Sequence, residues 1–150
     1  GLSLRMLSAG NRVFFGQFMK GRDCSELRAS SLFENFRIEQ FGNAEFIKGN
    51  PSRDDISRAE KGLLRMKEVL DSGLYDMVVF DEVNRAVHIG LLAAGEVLRV
   101  VDGKPDATEV ILTGRSAPQE IIDRADLVTE MKEIKHYYNA GVMSRVGIED

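Results

Sequence analysis

The 150-residue chain is 43% hydrophobic and 29% charged, with a net charge of −4 and a single cysteine. That length fits one α/β domain over residues 1–150 with a core of its own, and the acidic balance with scattered Lys and Arg excludes an electrostatic footprint for nucleic acid. No apolar run approaches the roughly 20 residues of a membrane span, and a lone Cys24 fits a reducing, cytoplasmic compartment rather than a disulfide framework.

Gly1 to Gly10 read as the later turns of an amphipathic helix closed by Gly10, so the domain is expected to be N-terminally incomplete. Arg12 to Phe18 is the first strand, rich in aromatic and β-branched residues. Gly16 to Arg22 carries two glycines at phosphate-loop spacing. Arg22-Asp23 stands where Lys-Ser/Thr is required, however, so this stretch is a decoy. Cys24 to Phe33 reads as a polar, partly helical connector, and Phe36 to Phe41 alternates like an edge strand. Gly42 to Pro51 is a loop containing Phe46 and Ile47, which either fold back onto the sheet or stand out to meet a ligand.

Ser52 is a fitting N-cap for a helix whose stripe is Ile56, Ala59, Leu63, Met66 and Leu70, ended by Asp71-Ser72-Gly73. Met77 to Phe80 is apolar at every position and reads as a central parallel strand. Asn84 to Ile89 and Leu91 to Val101 read as helices, Glu109 to Thr113 as another buried strand, and Pro118 to Ala125 as a short helix. Asp126 to Met131 is expected to be a last strand, with the tail to Asp150 wrapping across the sheet ends. Strands alternating with helices predict an α/β fold with a mostly parallel sheet.

The strand at Met77 ends in two carboxylates, Asp81 and Glu82. Open α/β sheets place ligands at the carboxyl ends of their strands, and P-loop NTPases set a metal-binding acid there. The alternative is a solvated turn after a core strand. Two carboxylates at a buried strand end are costly without a cation.

Four stretches together resemble one family: Gln17-Phe18-Met19-Lys20-Gly21, Asp76 to Asn84, Val110 to Arg115, and Ala125 to Met131 running on to Lys135-His136, Ala140-Gly141-Val142 and Gly147-Ile148. The ordered set is similar to the P-loop type of ATP:corrinoid adenosyltransferase, the cob(I)alamin adenosyltransferase of cobalamin synthesis and salvage. The resemblance implies a RecA-like P-loop NTPase fold, usually a homodimer. It implies transfer of the 5′-deoxyadenosyl group of ATP to a Co(I) corrinoid, with Mg²⁺ as cofactor, triphosphate as product and a flavoprotein as a candidate reductant.

By the same resemblance, Glu82 stands where the family has its metal-binding glutamate, and Asp81 is its Walker-type neighbour. Arg5 corresponds to an arginine that reaches the nucleotide. Phe46 corresponds to the first aromatic of a Phe-x-Trp loop against the lower corrinoid face, with Lys48 in place of the Trp. Asn84 and Arg115 are further nucleotide- or corrinoid-binding candidates at strand ends, and Lys135 and His136 match a recurrent pair. The family's Gly-x-Gly-Lys-Gly-Lys-Ser/Thr loop and the strand before it are expected just upstream of Gly1 and are not in this sequence.

The rival reading is a non-catalytic corrinoid- or nucleotide-binding paralogue lacking that loop. A RecA-like ATPase acting on nucleic acid is disfavoured by the acidic charge. His88 reads as a helix-face histidine, and Cys24 has nothing nearby in sequence to activate it.

Overall fold

A computed structural model describes residues 1–45, 47 and 49–148. Its elements run α1 (Leu2–Ser8), β1 (Val13–Gln17), a 3₁₀ turn (Ser25–Arg28), α2 (Ala29–Leu32), β2 (Phe36–Gln40), α3 (Arg53–Asp71), β3 (Met77–Asp81), α4 (Val83–His88), α5 (Ala94–Asp102), β4 (Glu109–Leu112), α6 (Gln119–Arg124) and a 3₁₀ turn (Tyr137–Ala140). The four strands form one parallel sheet in the order β2-β1-β3-β4. This is the predicted α/β class, consistent with a P-loop NTPase-like fold.

Strand burial follows position in the sheet. Central β3 is buried at Met77, Val78, Val79 and Phe80, whereas edge strand β2 has no fully buried residue. Alternate residues serve two layers because successive side chains point to opposite faces. Phe14, Phe18, Val78 and Phe80 pack beneath Ala59, Leu63, Met66 and Leu70 of α3, with Val83, Ala86 and Val97 completing the layer. The other face is smaller: Val13, Met77 and Val79 meet Leu7 of α1, flanked by the half-buried Phe15, Phe33, Phe36 and Ile111.

Helix α3 starts where its sequence dictates. Ser52 Oγ accepts a hydrogen bond from the Asp55 N–H at 3.1 Å, and the Asp55 carboxylate accepts from the Ser52 N–H at 2.9 Å. The resulting capping box satisfies two orphan ends of the helix. Asn43 Nδ2 donates to the other Asp55 oxygen at 2.7 Å, tying the Gly42–Pro51 loop to the same cap. Ile47 in that loop folds back against the core, as one of the two sequence readings held. Phe46 lies outside the described residues.

The chain departs from expectation at Asp126–Met131, which forms no strand. Leu127 is 81% exposed and Met131 92% exposed. The segment has β-prone residues, but a strand needs a ladder partner, and among the described residues none lies beside it. The tail beyond is largely exposed. Its end, Gly147-Ile148, does reach the carboxyl edge of the sheet, where it closes a cleft of ≈ 400 Å³ with Lys20, Arg22, Cys24, Ser25 and Glu26. No helix among the described residues is long and apolar enough to cross a membrane.

Candidate functional site

Parallel strands that start in register end in register. Gln17 of β1 is the ladder partner of Asp81 of β3, and Phe80 is the partner of Leu112, so Thr113 follows beside Asp81. Three polar residues therefore stand in a row where three apolar strands stop.

The row is hydrogen-bonded. Thr113 Oγ1 donates to Asp81 Oδ1 at 2.9 Å, and Gln17 Nε2 approaches Asp81 Oδ2 at 3.5 Å. Thr113 Oγ1 also accepts from the Glu82 N–H at 3.0 Å. Both Asp81 oxygens thus face inward to the sheet. Glu82 is different. It adopts φ 59°, ψ 16°, the left-handed region in which a non-glycine residue is strained. Among the described residues its carboxylate has no hydrogen-bond or ion-pair partner. This kink lets Val83 and Asn84 turn inward as the first residues of α4 while Glu82 stays half-exposed.

Asn84 is 6% exposed, its N–H donates to Thr113 O at 3.1 Å, and its Oδ1 is buried without a partner among the described residues. A buried acceptor left unmade costs about 1–3 kcal/mol, so such an atom marks a place for a donor or cation. The backbone of the β4 end closes tightly over this turn. Gly114 has φ +125°, and a side chain there would meet Arg85 N at 2.9 Å and Glu82 Cα at 3.2 Å.

A second polar group adjoins the row. Lys20 Nζ lies 2.6 Å from Glu26 Oε1, and Gln17 Nε2 donates to the same oxygen at 3.0 Å. Gln17 Oε1 in turn accepts from Gln40 at 3.0 Å. Burial works against the charged form of Glu26, but the hydrogen bonds from Lys20 and Gln17 outweigh it and lower the carboxyl from 4.5 to about 2. Burial likewise opposes the Lys20 ammonium, yet Glu26, with a further contribution from Asp81, leaves its pKa raised. Burial, then Glu26, pushes the Cys24 thiol up, which leaves it unreactive, as its sequence context implied.

The Glu26 shift has a pH signature. A carboxyl held at about 2 in the folded state and titrating near 4.5 when unfolded stabilises the fold above pH 4.5, and that stability is lost as pH falls from about 4.5 towards 2. With the pair more than a third exposed, about 1 kcal/mol is expected after solvent screening. Denaturant melts at pH 5 and pH 3 should show a smaller loss for Glu26→Gln than for the unaltered protein. Equal losses would remove Glu26 from the account.

The other sequence-predicted residues fall around this centre unevenly. Arg115 follows Gly114 but is exposed, and Arg5 is exposed on α1. Among the described residues, no hydrogen bond or ion pair joins either one to the acid pair. His88 is exposed on α4. Lys135 and His136 lie in the exposed tail, where His136 Nδ1 accepts from the Tyr138 N–H at 3.0 Å. Gln17, Lys20 and Thr113 are the residues that sequence reasoning did not assign to the site. The signal was present for Thr113, a polar residue immediately after an apolar strand.

Comparison with known families decides what this arrangement belongs to. Residues 1–149 match the model of the family described as ATP:corrinoid adenosyltransferase BtuR/CobO/CobP. The chain belongs to the ATP:corrinoid adenosyltransferase family. It is 40% identical over 153 residues to a corrinoid adenosyltransferase of Sinorhizobium sp., with 99% of this chain and 72% of that protein covered. It is 39% identical over 151 residues to the corrinoid adenosyltransferase CobA of Salmonella typhimurium, with 99% and 76% covered. An uncharacterised Nostoc protein is 38% identical over 157 residues, and there the chain spans 99% of itself but only 41% of the relative. In this adenosyltransferase chain, the match spans both the acid pair and the strand-end threonine that braces it.

Proposed function

We propose that the chain supplies the acid side of an Mg-ATP site in an enzyme that transfers the 5′-deoxyadenosyl group of ATP to a reduced Co(I) corrinoid, releasing triphosphate. The observation that carries this reading is the carboxyl end of β3. Asp81 is braced from both sides, and the adjacent Glu82 carboxylate is left without a protein partner among the described residues. Family membership supplies the substrate class.

The donor set fits Mg²⁺. This ion takes oxygen ligands and is held by one or two carboxylates together with substrate phosphates, not by an all-protein cage. When bound, Mg²⁺ would neutralise charge on the triphosphate. Glu82 would hold it, Asp81 would stand beside it held by Thr113 and Gln17, and the buried Asn84 Oδ1 offers an acceptor to a donor or cation nearby.

The chemistry asks little else of the protein. Co(I) is the nucleophile; its electron pair forms the Co–C5′ bond as the C5′–O bond to triphosphate breaks. The protein's task is to hold C5′ in line with cobalt and to stabilise the leaving group. A cytoplasmic homodimer served by a flavoprotein reductant completes the reading, and the free thiol of Cys24 fits a reducing compartment.

The test is an anaerobic reaction of the full-length protein with ATP, Mg²⁺ and chemically reduced corrinoid. Light-sensitive adenosylcorrinoid should accumulate with one triphosphate per product. Release of ADP, or binding of nucleotide or corrinoid without turnover, would overturn the assignment.

A further inference from the structure

Thr113 meets the end of β3 and the turn into α4 at four points. Its N–H donates to Phe80 O at 3.1 Å, its carbonyl accepts from the Asn84 N–H at 3.1 Å, and its hydroxyl both donates to Asp81 Oδ1 at 2.9 Å and accepts from the Glu82 N–H at 3.0 Å. A hydroxyl carries one donor and two acceptor sites, so it can serve an acid and an amide at once. A carboxylate or an amine at this position could not do both. The two backbone bonds place β4; the two hydroxyl bonds act on the acid pair alone.

We propose that Thr113 is a positioning residue of the nucleotide–metal site: its hydroxyl turns Asp81 inward and pins the Glu82 backbone in its left-handed conformation, so that the Glu82 carboxylate is presented outward. This rests on the reading of Glu82 as the metal-binding acid. The strain at Glu82 is the reason a pin is needed. With φ 59° the residue sits off the preferred backbone regions, and without a bond to its N–H the turn can relax towards a conformation that swings the carboxylate away. Asp81, released from Thr113, would turn towards the same cation and compete for its place. Outer partners of metal-binding side chains commonly change metal affinity by about 10–100-fold when removed.

Thr113→Val keeps the shape, the methyl group and both backbone bonds while deleting the hydroxyl. Thr113→Ser keeps the hydroxyl and deletes the methyl. Mn²⁺ titration followed by electron paramagnetic resonance in the presence of ATP reads metal affinity directly, and amide exchange at Glu82 reads the pin itself. Thr113→Val should weaken Mn²⁺ binding about tenfold and speed Glu82 exchange, with the melting temperature falling by only a few degrees. Thr113→Ser should restore both readouts. Unchanged Mn²⁺ affinity in Thr113→Val, with affinity lost in Glu82→Gln, would overturn the positioning role and leave the metal reading standing. A Thr113→Ser protein as weak as Thr113→Val would also overturn the role, by assigning the effect to packing. Unchanged Mn²⁺ affinity in Glu82→Gln would overturn the metal reading and the role built on it.

Discussion

Glu82→Gln should lower adenosyl transfer by roughly 10³-fold, equivalent to about 4 kcal/mol of lost transition-state stabilisation, while leaving the fold intact. The substitution preserves size and hydrogen-bonding shape and removes only charge. Nothing in the protein should collapse in response, because among the described residues the carboxylate has no partner to orphan. Glu82→Gly sharpens the test. Glycine adopts φ 59° without cost, whereas a side chain there costs about 1–2 kcal/mol. Glu82→Gly should therefore be at least as stable as the unaltered protein in thermal melts and just as inactive. A residue that lowers stability where it stands yet cannot be replaced without losing turnover is held for function. Retained turnover in either variant would end the assignment of Glu82 to the metal. A fall of more than a few degrees in the melting temperature of Glu82→Gly would show that its side chain has structural partners after all.

The elements that could be read from sequence are those whose signals are local. Ser52 announces an N-cap because the N–H groups it can satisfy lie within one turn of helix, and α3 begins there. Met77 to Phe80 announces a central strand because burial on both faces leaves no polar position. Asp126–Met131 failed for the opposite reason. Its residues favour a strand, but whether a strand forms depends on a neighbour that no local pattern supplies.

The site divides along the same line. Asp81 and Glu82 were visible because an apolar run stops at them. The residues that brace Asp81 were not, since they depend on which side chains sit across the sheet. Gln17 is 64 residues from Asp81 and Thr113 is 32 residues from it, and only the parallel register brings the three together. The left-handed turn at Glu82 was equally hidden, since glutamate gives no sign of it. Lys20 was quoted within a matching motif, but its pairing with Glu26 belongs to the fold of the Cys24–Arg28 connector.

Gly114→Ala should damage the site directly, because the added methyl group enters the backbone that carries the acid pair. The backbone at φ +125° is a region reserved almost entirely for glycine, at a cost of about 1–3 kcal/mol for any other residue. The new Cβ would also stand 2.9 Å from Arg85 N, 3.2 Å from Glu82 Cα and 3.3 Å from Asn84 Cβ. The first two are backbone atoms of the β3–α4 turn and the first turn of α4, and cannot swing aside as the end of a side chain can. Relief requires the β4 end to back away from that turn, which stretches the Thr113–Asn84 and Thr113–Glu82 hydrogen bonds together. Strain and overpacking sum to about 2–4 kcal/mol, or a melting temperature roughly 5–15 °C lower for a chain of this size. Because the displaced atoms carry the acid pair, adenosyl transfer should fall about 100-fold in the population that remains folded. Gly90→Ala is the matched control. Gly90 also has positive φ, at +83°, but no atom lies within 4 Å of an added Cβ. It should cost only the backbone strain, about 1–2 kcal/mol, and leave turnover unchanged. Melting temperatures for the two variants that agree within a degree or two, or full turnover in Gly114→Ala, would show that β4 does not clamp the acid pair through this contact.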